Sequence, residues 1–212
     1  MVHKTTAASI GHEEGSVIKE GLNTIVIRRD VLKLQNRIHK VGDRFTTVIG
    51  ISDLDVKDAG ELIDDLRNTS KGVVSIQGVC ADAVYGIDHI LQALKITIES
   101  EKRKITLVDR LEMDLLLRIS CTDQITAALR DIGLRNQAPG CFILFSKGKK
   151  ELLKVTRRIC DMHLEVDDVV LKPSNRKKEL ICRRLGIQLN IFLSNDVDFT
   201  SFLSERAALL TK

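Results

Sequence analysis

The chain has 212 residues, 43% of them hydrophobic, which is enough apolar material for one ordinary core. Its 33 basic and 29 acidic side chains leave a formal net charge of +4, too even a balance to indicate a nucleic-acid partner without local clustering. Aromatic residues make up only 3%, with no Trp and one Tyr, so the core must be built from Ile, Leu and Val, and a base-stacking RNA module is disfavoured.

Residues 1–44 open on a polar stretch punctuated by Gly11, Gly15 and Gly21, followed by Thr24-Ile25-Val26-Ile27 and a helix-like spacing at Val31, Leu34, Ile38 and Val41. This part reads as an extension. The run Thr46 to Ile51 predicts a strand, and Ala59, Leu62, Ile63 and Leu66 fall on one helical stripe, with Asp55 or Asp58 as cap. Val73 to Gln77 predicts a second strand. A long helix follows, with Ile87, Ile90, Leu91, Leu94 and Ile98 on one face and Lys102-Arg103-Lys104 at its C-terminal end, where basic residues complement the helix dipole.

A near-continuous apolar run predicts a buried helix over Leu111 to Arg118. The polar break Ser120 to Asp123 then leads to a short helix carrying Ile125, Ala128, Leu129 and Ile132, ended by Gly133. Beyond it the pattern predicts a strand at Cys141 to Phe145, a helix through Leu152, Val155, Ile159 and Met162, a strand around Val169 to Leu171, and a helix through Leu180, Ile181 and Leu185. A final helix is predicted over Phe199 to Leu210. Alternating strands and helices imply a mixed α/β (α+β) fold, a small central sheet covered by helices. The expected organisation is an extension over 1–44, one compact domain over 45–190 and a C-terminal segment over 191–212.

The five cysteines, Cys80, Cys121, Cys141, Cys160 and Cys182, are odd in number and scattered through apolar contexts, which fits neither a disulfide framework nor a CxxC zinc pattern. A reducing compartment follows. With no apolar run of the roughly 18 to 20 residues a membrane span needs, and no signal-type start, the expected location is the cytoplasm. No Gly-rich phosphate loop occurs. Lys147-Gly148-Lys149-Lys150 has one glycine and reads as a solvated turn. His3, His12, His39, His89 and His163 stand apart from any nucleophile or acid that the sequence can name, and Asp64-Asp65 and Asp167-Asp168 read as solvated faces. No catalytic residue, metal site, cofactor or small-molecule substrate is expected.

Arg118 interrupts the apolar run Leu115 to Ile119 just before the polar turn that opens the next helix. Such an arginine serves either as a phosphate anchor or as the partner of a nearby acid such as Asp114, since both uses exploit the same planar fork. Lys102, Arg103 and Lys104, with Arg110 further along, are either a solvated helix end or one wall of a basic groove beside Arg118.

The stretch Met113-Asp114-Leu115-Leu116-Leu117-Arg118-Ile119-Ser120, followed by Gln124-Ile125-Thr126-Ala127-Ala128-Leu129-Arg130-Asp131-Ile132-Gly133, resembles the central motif of the small kinase-binding subunits of the KEOPS (EKC) tRNA-modification complex. Asp55 to Leu62, His89-Ile90-Leu91 with Ala93, and the Cys141 to Phe145 strand extend the resemblance over about residues 46–190. Two positions depart: Cys121 stands where the family commonly has Gly, and Asp123 where a basic or amide residue is common.

The resemblance implies a compact mixed α/β domain without a catalytic centre. It also implies docking on the N-lobe of a Bud-type atypical kinase and ATPase, and recruitment of tRNA through its 3′ CCA end for threonylcarbamoyladenosine formation. By analogy the RNA contacts are Lys102, Arg103, Lys104, Arg118, Ser120 and Gln124, while Ile125, Ala128, Leu129, Ile132 and Gly133 are assigned to packing. Leu180, Ile181, Arg184 and Leu185 are the candidate kinase-facing residues. The competing readings are a structural kinase-binding protein that never touches RNA, and a small cysteine- or histidine-dependent enzyme using Cys80, Cys121 or His89.

Overall fold

The computed structural model describes residues 37–56, 58–162, 164–189 and 196–211. The expectations for Thr24 to Ile27, Val31, Leu34, His3, His12 and His163 lie outside these residues. The described elements, in chain order, are β1 (His39–Val41), β2 (Arg44–Ile51), α1 (Ala59–Ser70), β3 (Ser75–Cys80), α2 (Gly86–Arg103), α3 (Leu111–Ser120), α4 (Ile125–Ile132), β4 (Gly140–Ser146), α5 (Lys149–Cys160), α6 (Asn175–Leu185) and α7 (Asp196–Ala208). Short 3₁₀ turns occupy Ala81–Ala83 and Asp168–Leu171. None of the described helices is long and apolar enough to cross a membrane.

The four strands form one antiparallel sheet in the order β1-β2-β4-β3. The central strand β4 is buried along its whole length, and its side chains alternate between two cores, as strand periodicity requires. Phe142 and Leu144 face Ile49, Ile51 and Ile76, together with Leu62, Ile63 and Leu66 of α1 and Leu152, Val155 and Ile159 of α5. Cys141, Ile143 and Phe145 face Val48 and Val79, with Ile90, Leu94 and Ile98 of α2, the run Leu115 to Leu117 of α3, and Ala128 and Ile132 of α4. The sheet is therefore covered on both faces, which is the mixed α/β architecture expected. Each such aliphatic side chain contributes about 1.5–3 kcal/mol of burial.

Local signals explain several helix ends. Asp58 caps α1 by accepting the Gly60 and Glu61 N–H groups. Helix α3 ends at Cys121, whose φ of 54° is left-handed, and its N–H returns to the Arg118 and Leu117 carbonyls. Ser174 caps α6, and Gly186 ends it with φ 66°.

Two expectations are corrected. Ile38 and Val41, placed on a helical spacing, instead precede and close β1, whose three residues pair with Arg44 to Thr46; a turn at Gly42 converts the spacing into a hairpin. Val169 to Leu171 form a 3₁₀ turn and not a strand, because Asp167 caps the Val169 N–H while the Asp168 carboxylate accepts the Gly50 N–H. Val166 makes the only β-bridge of this stretch, to Ile51. The final helix, expected over Phe199 to Leu210, is α7; it belongs to the same unit as the sheet, with Phe199, Leu203 and Ala207 buried.

Candidate functional site

Helix α3 places Asp114 and Arg118 one turn apart on its buried face. Arg118 Nε donates to Asp114 Oδ2 at 2.8 Å, Nη2 to Ser100 Oγ at 2.9 Å and Nη1 to the Ala207 carbonyl at 2.8 Å. Asp114 Oδ1 in turn accepts the Leu107 N–H at 2.7 Å. The two residues are 2% and 0% exposed. The guanidinium thus ties the C-terminal turn of α2, the loop before α3 and the end of α7 to one buried charge pair. Of the two uses open to an arginine in this position, the structure adopts the ion pair, and the assignment of Arg118 as an RNA contact is corrected: each of its three nitrogens donates to a protein acceptor, and burial seals it from a phosphate backbone. Ser120 is corrected for the same reason, being 4% exposed with its hydroxyl donating to the Leu117 carbonyl at 2.9 Å.

The other sequence-derived RNA residues are at the surface. Lys102, Arg103 and Lys104 are exposed at the end of α2, directly after the turn whose Ser100 bonds Arg118, with Arg103 paired to Glu99 at 2.8 Å. Gln124 is exposed at the N-cap of α4, where its amide donates to Asp123 Oδ1 at 3.2 Å. The basic helix end thus begins two residues after Ser100, which accepts from Arg118, and the arginine it adjoins belongs to a buried pair and is not an open anchor.

The candidate kinase-facing residues divide. Ile181 is 1% exposed and belongs to a satellite core with Tyr85, Cys121, Cys182, Phe199 and Leu203, so its assignment as a contact is corrected. Leu185 is half-buried against the same cluster. Leu180 and Arg184 instead line a surface cavity of about 360 Å³, together with Asp82, Asp131, Arg135 and Arg176.

Helix α4 carries the feature that sequence reasoning missed. Its apolar residues Ile125, Ala128, Leu129 and Ile132 lie on one stripe, and all were assigned to packing. Only Ala128 and Ile132 are buried, whereas Ile125 and Leu129 are 39% and 48% exposed. The helix seats on the sheet by one edge of its stripe and presents the other edge outward. The available signal was its length: eight residues between two polar turns give too short a helix to bury a stripe about 100° wide against one neighbour.

The titratable groups near this face are shaped by burial. His89 Nδ1 accepts the Tyr85 N–H at 3.2 Å, its Nε2 has no hydrogen-bond partner, and burial followed by the charge of Arg184 pushes the imidazole down to about 3, so it is neutral at physiological pH. Burial also raises the Cys121 thiol, although Arg184 and Arg206 oppose this, which leaves a protonated side chain and no ready nucleophile at that position. No family model matches the chain, and no curated protein matches its sequence.

Proposed function

We propose that this chain is a non-catalytic binding subunit of the KEOPS kinase-binding type, which docks a Bud-type atypical kinase through the outward edge of α4 and recruits tRNA through its 3′ CCA end. The observation that carries the docking reading is the pair Ile125 and Leu129, exposed one helical turn apart on a helix whose opposite edge is fixed in the core. Apolar side chains held on a rigid support are the groups around which interface energy concentrates. Contact with RNA, in this reading, falls to Lys102, Arg103 and Lys104, with Gln124 offering a donor and an acceptor to a base edge.

The test is a titration of the full chain with the purified kinase and, separately, with tRNA. Ile125→Asp with Leu129→Asp should weaken kinase binding by about a hundredfold or more, because two charges are forced into an apolar contact, while circular dichroism stays unchanged. An unaffected affinity refutes the docking face. Replacing Lys102, Arg103 and Lys104 by Ala should make the salt dependence of tRNA binding shallower by a slope of roughly two to three, one phosphate contact per residue. A second reading, docking without RNA, is favoured by the burial of Arg118 and Ser120. Equal binding to tRNA with and without its CCA end, or no binding, selects it.

A further inference from the structure

The cavity beside α6 has a chemistry that kinase docking does not use. Its walls come from the 3₁₀ turn Ala81–Ala83, from the end of α4 and the loop beyond it, and from α6. Three arginines line it, Arg135, Arg176 and Arg184, against two carboxylates, Asp82 and Asp131. Both carboxylates already have partners: Arg176 Nη2 donates to Asp82 Oδ2 at 3.1 Å, and Arg130 holds both oxygens of Asp131, at 2.7 and 3.2 Å. Arg135 gives Nη2 to the backbone carbonyls of Arg130 and Asp131, at 3.2 and 3.3 Å.

Arg184 differs from the others. It is half-buried, and among the described residues it donates only through a long 3.5 Å contact from Nη2 to the Ile119 carbonyl, while its Nε is shielded from solvent with no partner; Asp131, already held by Arg130, acts on it through charge alone. The neighbouring imidazole of His89 is neutral and also has an unpartnered Nε2. A guanidinium held this way costs folding free energy unless an anion completes it.

We propose that this cavity binds the phosphate group of a small molecule, with Arg184 as its half-buried anchor and Arg135 and Arg176 as outer clamps. Three guanidinium forks, two from α6 and one from the loop after α4, suit a tetrahedral oxyanion, which accepts from several donors at once. A volume of about 360 Å³ matches a small-molecule site and not a polymer groove. Its lining contains no aromatic side chain on which a nucleobase would stack. The site is independent of the kinase-docking reading and stands or falls separately from it.

The experiment is calorimetric titration of the full chain, with inorganic phosphate, adenosine 5′-monophosphate and adenosine as probes at matched ionic strength in chloride. Phosphate and the monophosphate should bind, and adenosine should not. Arg184→Gln should weaken binding by about tenfold or more, the loss of one charge-assisted hydrogen bond. The double variant Arg135→Gln, Arg176→Gln alters two exposed side chains and should give a similar loss in a folded protein, so it decides the matter if Arg184→Gln unfolds. Comparable affinities for the two phosphates assign a free-phosphate site, and a monophosphate preference beyond about tenfold assigns an organic phosphate. The proposal is overturned if neither phosphate binds above chloride, if adenosine binds as well as its monophosphate, or if both variants bind as the parent does.

Discussion

Arg118 has its three nitrogens committed to partners on three different elements, the most distant of them, Ala207, 89 residues away along the chain. Its worth is therefore structural. Arg118→Met leaves Asp114 as an uncompensated buried carboxylate and the Ala207 carbonyl without its donor, and should cost about 3–5 kcal/mol, read as a fall in the urea midpoint. The double variant Asp114→Leu, Arg118→Met removes both charges and should be destabilised by less than the sum of the two single changes. It still strands the Leu107 N–H and the Ala207 carbonyl, which keeps it below the parent. In whatever fraction of Arg118→Met stays folded, the salt dependence of tRNA binding should match the parent, because a residue 2% exposed neutralises no phosphate. A flattened slope at unchanged stability would return Arg118 to the proposed RNA contacts.

The junction of α3 and α4 shows what a helix break demands of its residues. Cys121 holds φ 54°, a conformation that costs a residue with a Cβ roughly 1–2 kcal/mol, and glycine pays nothing there. Here the cost is offset by burying the thiol among Tyr85, Phe199 and Leu203. Cys121→Gly should accordingly change stability by no more than about 1 kcal/mol, relief of strain against loss of packing, whereas Cys121→Val, β-branched in the left-handed region, should cost 2 kcal/mol or more. Equal midpoints for the two variants would remove the backbone argument. The helices on either side of this break, like α1, α2 and β4, were legible because their apolar periodicity persists over two or more turns or a whole strand. Val169 to Leu171 was not, since three apolar residues carry no period and two aspartates tie them into a turn through hydrogen bonds. Nor could the pattern show which edge of the α4 stripe meets the sheet. That is decided by seating, and the same uncertainty hid both the burial of Arg118 and the exposure of Leu129.

At the scale of the molecule, the sheet and its two helical layers are completed by α7, whose four-residue spacing of Phe199, Leu203 and Ala207 is a thin signal in a sequence otherwise rich in polar residues. Phe199 meets Tyr85 edge-on at 4.8 Å, and Lys178 lies 5.6 Å from both rings, so the ammonium on α6 is held against two π-faces within the satellite core. At its far end α7 supplies the Ala207 carbonyl to Arg118. The helix therefore closes two separate features, one apolar and one ionic. Truncation after Leu189 should expose Tyr85, Ile181 and Cys182 and deprive Arg118 of an acceptor in one step. The truncated chain should bind a hydrophobic dye and unfold with a broadened, weaker urea transition. Phe199→Ala within the full chain separates the two contributions. It should cost about 3–5 kcal/mol through the cavity it leaves, with a sharp transition retained, because the Arg118 node stays intact. If the truncated chain instead melts at the parent's midpoint, α7 is a passenger on a domain that is complete at α6, and the Ala207 contact contributes nothing to holding Arg118 in place.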